Sequence, residues 1–138
     1  MNKILLPVDI GQNDATTKVL EQAKKLGAVY DVGFVLLHVL DPIPHFVEAE
    51  IPKDVLEGHE KAARAKLREL AELYGIGGRS EIVVRRGRAQ HEIVEVAEKT
   101  GAEIIVIASH QPRASDVLLG SVAASVVRHA HCSVMVLR

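Results

Sequence analysis

Five short apolar runs recur along the chain, and they constrain its fold more than any other feature. They lie at residues 4–8, 33–40, 81–85, 103–108 and 133–137. Consecutive Val, Ile and Leu dominate the runs, which is typical of strands that a parallel sheet buries on both faces. The runs are also shorter than most helices, so each one is predicted to be a strand.

Four segments between these runs space their apolar residues as a helix does. They are predicted over residues 13–27, where Gly27 ends the helix, 58–74, 90–99 and 121–128. Strands that alternate with helices form parallel sheets through right-handed crossovers. The sequence therefore predicts an α/β fold, a doubly wound, five-stranded parallel sheet with helices on both faces and a Rossmann-like arrangement.

The segment at residues 41–58 shows no clear periodicity, and it contains Pro42, Pro44 and Pro52. It is predicted to be the longest loop of the chain. Long loops in compact domains are often lids or binding segments, so this one is a candidate for such a role.

The size and composition of the chain fit this architecture. A length of 138 residues suits a single domain over residues 1–138, with an aliphatic core because only 3% of the residues are aromatic. A net charge of −1 lacks the basic excess of nucleic-acid-binding proteins. No run approaches the ~18 apolar residues of a membrane span. The single cysteine, Cys132, cannot form an internal disulfide, which favours the reducing cytoplasm.

Two loops at the predicted carboxyl ends of strands have the chemistry of a binding site. Asp9 follows the first strand, where its carboxylate can hydrogen-bond a hydroxylated ligand such as a ribose. Gly120 and Ser121 open a helix, whose free N–H groups attract an anion. Arg113 supplies one full positive charge in the same loop. The alternative is that Gly120 only forms a turn and Ser121 only caps the helix, and the spacing alone does not decide between the two.

Motifs at the strand ends resemble the universal stress protein family. They are Pro7-Val8-Asp9, His38-Val39, Ala108-Ser109-His110 and Leu118-Leu119-Gly120-Ser121-Val122-Ala123. The closing segment at residues 127–136 resembles the same family, and the match covers the whole chain. The resemblance implies a Rossmann-like fold of the adenine nucleotide alpha hydrolase type.

The family's ATP-binding branch carries Gly-x-x-Gly, nine residues, and then Gly followed by Ser or Thr. Here Ala108 and Gln111 stand at the leading glycine positions, and only eight residues, 112–119, precede Gly120. This variant resembles the enterobacterial F-type members, which also bind ATP. Because the final Gly-Ser is intact, the resemblance implies ATP binding, with or without Mg²⁺.

The resemblance also implies roles for individual residues. Asp9 would hold the ribose, Val39 would meet adenine through its backbone, and the start of the last helix would hold the phosphates. The predicted nucleotide-binding set is Pro7, Val8, Asp9, Val39, Ala108, Ser109, His110, Gln111, Arg113, Gly120, Ser121 and Val122.

The leading hypothesis is an ATP-binding regulator or sensor in the stress response, acting as a homodimer or a larger homo-oligomer. Its interface is predicted on the last strand, because edge strands invite pairing and the family's final strands associate across a two-fold axis. These interface residues are Val134, Met135, Val136 and Leu137. One alternative is a nucleotide-free protein–protein interaction module of the same fold, and another is a weak ATPase or self-phosphorylating protein. No catalytic residue is predicted.

No metal site is predicted either. His129, His131 and Cys132 form the tightest cluster of metal-ligating types in the sequence, but three ligands are too few for a structural zinc site. His129 is expected to cap helix carbonyls and Cys132 to be a small core residue. His91 and Glu95 lie one helical turn apart, which predicts a surface pair.

Overall fold

The computed structural model describes residues 2–11, 13–109 and 119–138. All five predicted strands are found, with ends within one residue of those expected. They are β1 (Lys3–Pro7), β2 (Gly33–Leu40), β3 (Ser80–Arg86), β4 (Ala102–Ala108) and β5 (Ser133–Leu137).

Helices connect each strand to the next. They are α1 (Asn13–Val29), α2 (His45–Glu48), α3 (Lys53–Leu73), α4 (Ala89–Thr100) and α5 (Ser121–His129), with a 3-10 turn at Gly77–Arg79. Among the described residues, no helix has the length and hydropathy needed to cross a membrane.

The strands form one parallel sheet in the order β3-β2-β1-β4-β5. The chain winds outward from β1 to β3, then returns to β4 on the other side of β1. Right-handed crossovers in opposite directions place their helices on opposite faces. Accordingly α1 and α3 pack on one face, and α4 and α5 pack on the other. The predicted doubly wound parallel fold is confirmed.

Alternate residues of the central strands enter two separate cores, as the pleat of a strand requires. In β1, Leu6 packs with Leu20 of α1 and Leu67 of α3, whereas Leu5 packs with Val96 of α4 on the opposite face. Each of these side chains is fully buried or nearly so. Burial of the sheet on both faces explains why the strands are continuously apolar.

The first helix does not end at Gly27, and that prediction is wrong. The helix continues to Val29, and Gly27 lies inside it against the ring of Phe34. A Cβ at this position would lie 3.3 Å from the ring, so the glycine provides room for a neighbouring strand. The Gly27 carbonyl also accepts a hydrogen bond from the Arg79 side chain at 2.7 Å.

The segment at residues 41–58 is not one long loop, and α3 begins at Lys53 rather than near Gly58. Pro44 and Pro52 directly precede α2 and α3, each with φ of −58°. Proline is compatible with a helix start because the first N–H groups have no partner within the helix. The prolines therefore mark two helix starts in this segment.

Candidate functional site

A cleft of about 250 Å³ opens at the carboxyl ends of β1 and β4. The winding of the sheet reverses between these two strands, and ligands of open α/β sheets bind at such a point. The end of β2 and the starts of α1, α4 and α5 form the rest of its wall. The predicted site residues that line it are Pro7, Val8, Asp9, Val39, Ala108, Gly120, Ser121 and Val122.

The remaining predicted residues divide into two groups. Ser109 contacts the rim from the end of β4, where its hydroxyl accepts a hydrogen bond from the N–H of Gly120. His110, Gln111 and Arg113 lie outside the described residues, so their contribution to the site stays a prediction.

The start of α5 presents backbone N–H groups for which the described residues supply no acceptor. Gly120 is its N-cap and provides no side-chain cap, and the first bond within the helix runs from the N–H of Ala124 to the carbonyl of Gly120 at 2.9 Å. The N–H groups of Ser121, Val122 and Ala123 donate to no acceptor among the described residues. Together with the helix dipole, they form a positive end that faces the cleft.

Asp9 is the ionisable carboxylate of the described cleft lining. Its Oδ1 atom accepts a hydrogen bond from the N–H of Gly11 at 3.0 Å, which orients the side chain. The other carboxylate oxygen has no partner among the described residues, and the residue is exposed. Asp9 can therefore accept a hydrogen bond from a ligand hydroxyl.

The backbone of Val39 faces the space that β1 leaves at its end. The carbonyl of Leu37 accepts from the N–H of Val8 on the β1 side, and the carbonyl of Leu40 accepts from the N–H of Gly87 on the β3 side. Groups of alternate residues in a parallel strand point to the same side. The N–H and C=O of Val39 therefore point toward β1, and they form no hydrogen bond within the described residues.

Several cleft residues were missed by the sequence-based prediction. They include Ala15, Thr16, Leu37, Ala89, Ile93, Ile107 and Ala123. Thr16 had a usable signal, since it lies on the apolar face of α1, three residues before the buried Val19. The sequence carried no such signal for Ala89 and Ile93. No local pattern shows that the start of α4 lies beside the cleft at the ends of β1 and β4.

His129, His131 and Cys132 are neighbours in the sequence, and each contacts a different part of the structure. His129 donates from Nδ1 to the carbonyl oxygen of Ser125 at 2.9 Å, in the last turn of α5, as expected for a cap. His131 pairs with Glu98 on α4. Cys132 packs at the edge of the core, and burial raises the pKa of its thiol.

One group of metal-ligating side chains occurs among the described residues, at His91, Glu92 and Glu95. His91 lies 3.2 Å from Glu95, which confirms the predicted surface pair. Glu95 also bonds Lys99 at 2.7 Å, and that ammonium lowers the pKa of the Glu95 carboxyl. Because the Lys99 ammonium already pairs with the Glu95 carboxylate, the geometry favours a surface ion-pair network over a metal site.

The last strand lies at one edge of the sheet and pairs with β4. Its predicted interface residues, Val134 to Leu137, are partly buried and pack against both cores. Association through this edge stays a prediction.

Comparisons with known proteins agree with the resemblance. The model of the universal stress protein family matches residues 1–138. Universal stress protein G of Shigella flexneri is 35% identical over 140 residues, covering 98% of this chain and 97% of that protein. Universal stress protein MJ0531 of Methanocaldococcus jannaschii is 30% identical over 143 residues, covering 99% and 81%.

Solved structures share the fold. The hypothetical protein MJ0577, described in a structure-based assignment of biochemical function, has a TM-score of 0.81 at 25% identity, covering 99% of this chain and 94% of that chain. A universal stress protein from Archaeoglobus fulgidus in complex with dAMP has a TM-score of 0.68 at 22% identity, covering 100% and 98%. A universal stress protein in complex with cAMP has a TM-score of 0.71 at 17% identity, covering 99% and 96%.

Proposed function

The chain belongs to the universal stress protein family, and from this premise we propose that its cleft binds an adenine nucleotide, ATP, and that the protein acts as a nucleotide-dependent regulator. The observation that carries the proposal is the start of α5, where three N–H groups without described partners border the cleft that contains Asp9. Relatives of the same fold in complex with dAMP and cAMP support the choice of nucleotide class.

The phosphates are assigned to the start of α5. Because Gly120 has no side chain, an anion can approach the N–H groups of Ser121 and Val122 closely. The described lining of the cleft contains no lysine or arginine. Arg113, which lies outside the described residues, and a Mg²⁺ ion carried by the nucleotide are the proposed sources of further positive charge.

The ribose is assigned to Asp9 and the base to Val39. The Oδ1 atom of Asp9 already accepts a hydrogen bond from the N–H of Gly11. The second carboxylate oxygen is therefore the one that accepts from the ribose hydroxyls. The N–H of Val39 donates to adenine N1, and its C=O accepts from the exocyclic amine. Leu37 and Ile107 provide an apolar wall beside the base.

A regulatory role is proposed over an enzymatic one. Phosphoryl transfer requires a group that orients the nucleophile and carboxylates that hold the metal. Within the described lining, Asp9 has no second carboxylate beside it. We also propose a homodimer that forms through β5. In this dimer, bound nucleotide would change the surface that is presented to partner proteins.

Two measurements on the purified protein test nucleotide binding. Nucleotide released by denaturation is identified by mass spectrometry, and calorimetry follows the titration of nucleotide-free protein with ATP and Mg²⁺. We expect adenine nucleotide in the extract or a saturable response below millimolar concentration. A folded protein that is empty and gives no response to millimolar ATP would contradict the proposal and favour a nucleotide-free interaction module.

A further inference from the structure

Two buried polar side chains meet the backbone at the end of β1. Thr16 and His38 are 7% and 9% exposed, and they are the buried polar residues of the part of the chain that the structure describes. The His38 ring donates from Nδ1 to the carbonyl of Val8 at 2.9 Å, because a carbonyl can only accept. The hydroxyl of Thr16 donates to the carbonyl of Asp9. Two consecutive carbonyls are therefore held by two different elements, β2 and α1.

The same short segment is held at two further points. The N–H of Val8 donates to the carbonyl of Leu37 at 2.8 Å, and the Asp9 carboxylate accepts from the N–H of Gly11 at 3.0 Å. Together, these hydrogen bonds fix the backbone of Val8 and Asp9 and orient the Asp9 carboxylate. The segment lines the cleft, so its rigidity bears directly on any ligand there.

His38 also affects Val39. If the parallel pairing of β1 and β2 continued, the N–H of Val39 would donate to the carbonyl of Val8. The imidazole occupies that carbonyl instead. The two strands can therefore separate without leaving a buried carbonyl unpaired, and the N–H of Val39 stays available to the cleft.

We propose that Thr16 and His38 are positioning residues that hold the end of β1 so that the free oxygen of Asp9 meets the ribose hydroxyls of a bound nucleotide. The inference rests on the proposed function, since it concerns the same cleft. Neither side chain needs to contact the nucleotide. A carboxylate that is already oriented loses less conformational freedom on binding, so its hydrogen bond adds more to the affinity.

The experiment compares ATP with 2′,3′-dideoxy-ATP, which lacks both ribose hydroxyls, by calorimetry. We expect wild-type protein to bind ATP about tenfold more tightly, the value of a hydrogen bond to a charged group. Thr16→Val keeps the side-chain shape but removes the donor. It is expected to lower the preference for ATP to about twofold while the affinity for dideoxy-ATP stays unchanged. Thr16→Ser retains a hydroxyl and is expected to retain the wild-type preference.

A second pair of variants tests His38 in the same way. His38→Asn retains an N–H donor near the position of Nδ1, whereas His38→Leu removes it, and circular dichroism checks that each variant folds. If His38→Leu fails to fold, Thr16→Val decides the matter alone. A preference for ATP that is unchanged in Thr16→Val, or equal losses for both nucleotides, would overturn the inference and leave the proposed function standing. A wild-type protein that binds neither nucleotide would overturn both.

Discussion

The hydroxyl oxygen of Ser109 accepts a hydrogen bond from the backbone N–H of Gly120, with 3.1 Å between the two heavy atoms. The bond joins the end of β4 to the start of α5. The N–H of Ser109 in turn donates to the carbonyl of Leu137 at the end of β5. The helix start that borders the cleft is therefore held by the two strands beside it.

Replacement of Ser109 by alanine is expected to weaken both the fold and the site. The buried N–H of Gly120 would lose its acceptor, which costs about 1–3 kcal/mol of unfolding free energy. Chemical denaturation measures this loss. Because the start of α5 is less well held, ATP affinity is expected to fall about fivefold, which corresponds to roughly 1 kcal/mol. Ser109→Thr is the control, since it keeps the hydroxyl, and a Ser109→Ala protein of wild-type stability would show that the bond contributes nothing.

Replacement of Gly120 by aspartate is expected to remove nucleotide binding and to preserve the fold. Gly120 has φ of −60° and precedes a helix, so its backbone conformation is open to residues with a side chain, and Asp and Asn are both good caps. The aspartate carboxylate would repel the phosphates, and we expect an affinity loss of about a hundredfold or more. Calorimetry with ATP measures the loss, and thermal unfolding checks the fold.

Gly120→Asn is the matched control for this experiment, because it has the same shape without the charge. It is expected to retain measurable affinity. If the Asp and Asn variants bind ATP equally well, the phosphates lie elsewhere.

Base selectivity tests the role of Val39. Adenine offers an acceptor at N1 and a donor at its amine. These match the N–H and C=O of Val39, which form no hydrogen bond among the residues that the structure describes, whereas guanine offers the reverse pattern. A mismatched base leaves both backbone groups unpaired, so GTP is expected to bind at least about a hundredfold more weakly than ATP. Competition between the two nucleotides measures the ratio. Equal affinities would remove Val39 from the account of base binding.

The thiol of Cys132 is expected to react slowly in the folded protein. Burial raises the pKa of this thiol, so near pH 8 a smaller fraction of it is thiolate, the reactive form, than for an exposed cysteine. Alkylation by iodoacetamide, followed by mass spectrometry, should be slower in buffer than in denaturant at the same pH, and a small free thiol provides the reference rate. Alkylation of the folded protein as fast as that of the reference would contradict a core role for Cys132.

The strands could be predicted from the sequence because helices cover the sheet on both faces and its central strands are therefore continuously aliphatic. Their order in the sheet was not predicted, since it depends on which distant strands the crossovers place side by side. Helix ends were harder, since they depend on tertiary contacts. Gly27 looks like a helix end in the sequence, and only the ring of Phe34 packed against it shows why a glycine lies inside α1. Pro52, by contrast, carried a local signal for the start of α3.

Some residues of the candidate site could likewise be predicted from local sequence patterns, whereas others depend on tertiary contacts. Asp9 and Gly120 follow from local patterns, a polar residue after a strand and a glycine before a helix. The availability of the Val39 backbone depends on where β1 stops, and the roles of Thr16 and His38 depend on which carbonyls lie opposite them. Such relations between distant segments have no local signature, so only the structure reveals them.

The central claim, that ATP binds at the start of α5, is tested most directly by an NMR titration of ¹⁵N-labelled protein with ATP and Mg²⁺. The account predicts saturable shifts of the amide resonances of Ser121, Val122 and Ala123, together with that of Val39. Leu73, exposed at the far end of α3, is the internal reference and should not move. Saturable binding that shifts other amides and leaves the start of α5 unchanged would contradict the account.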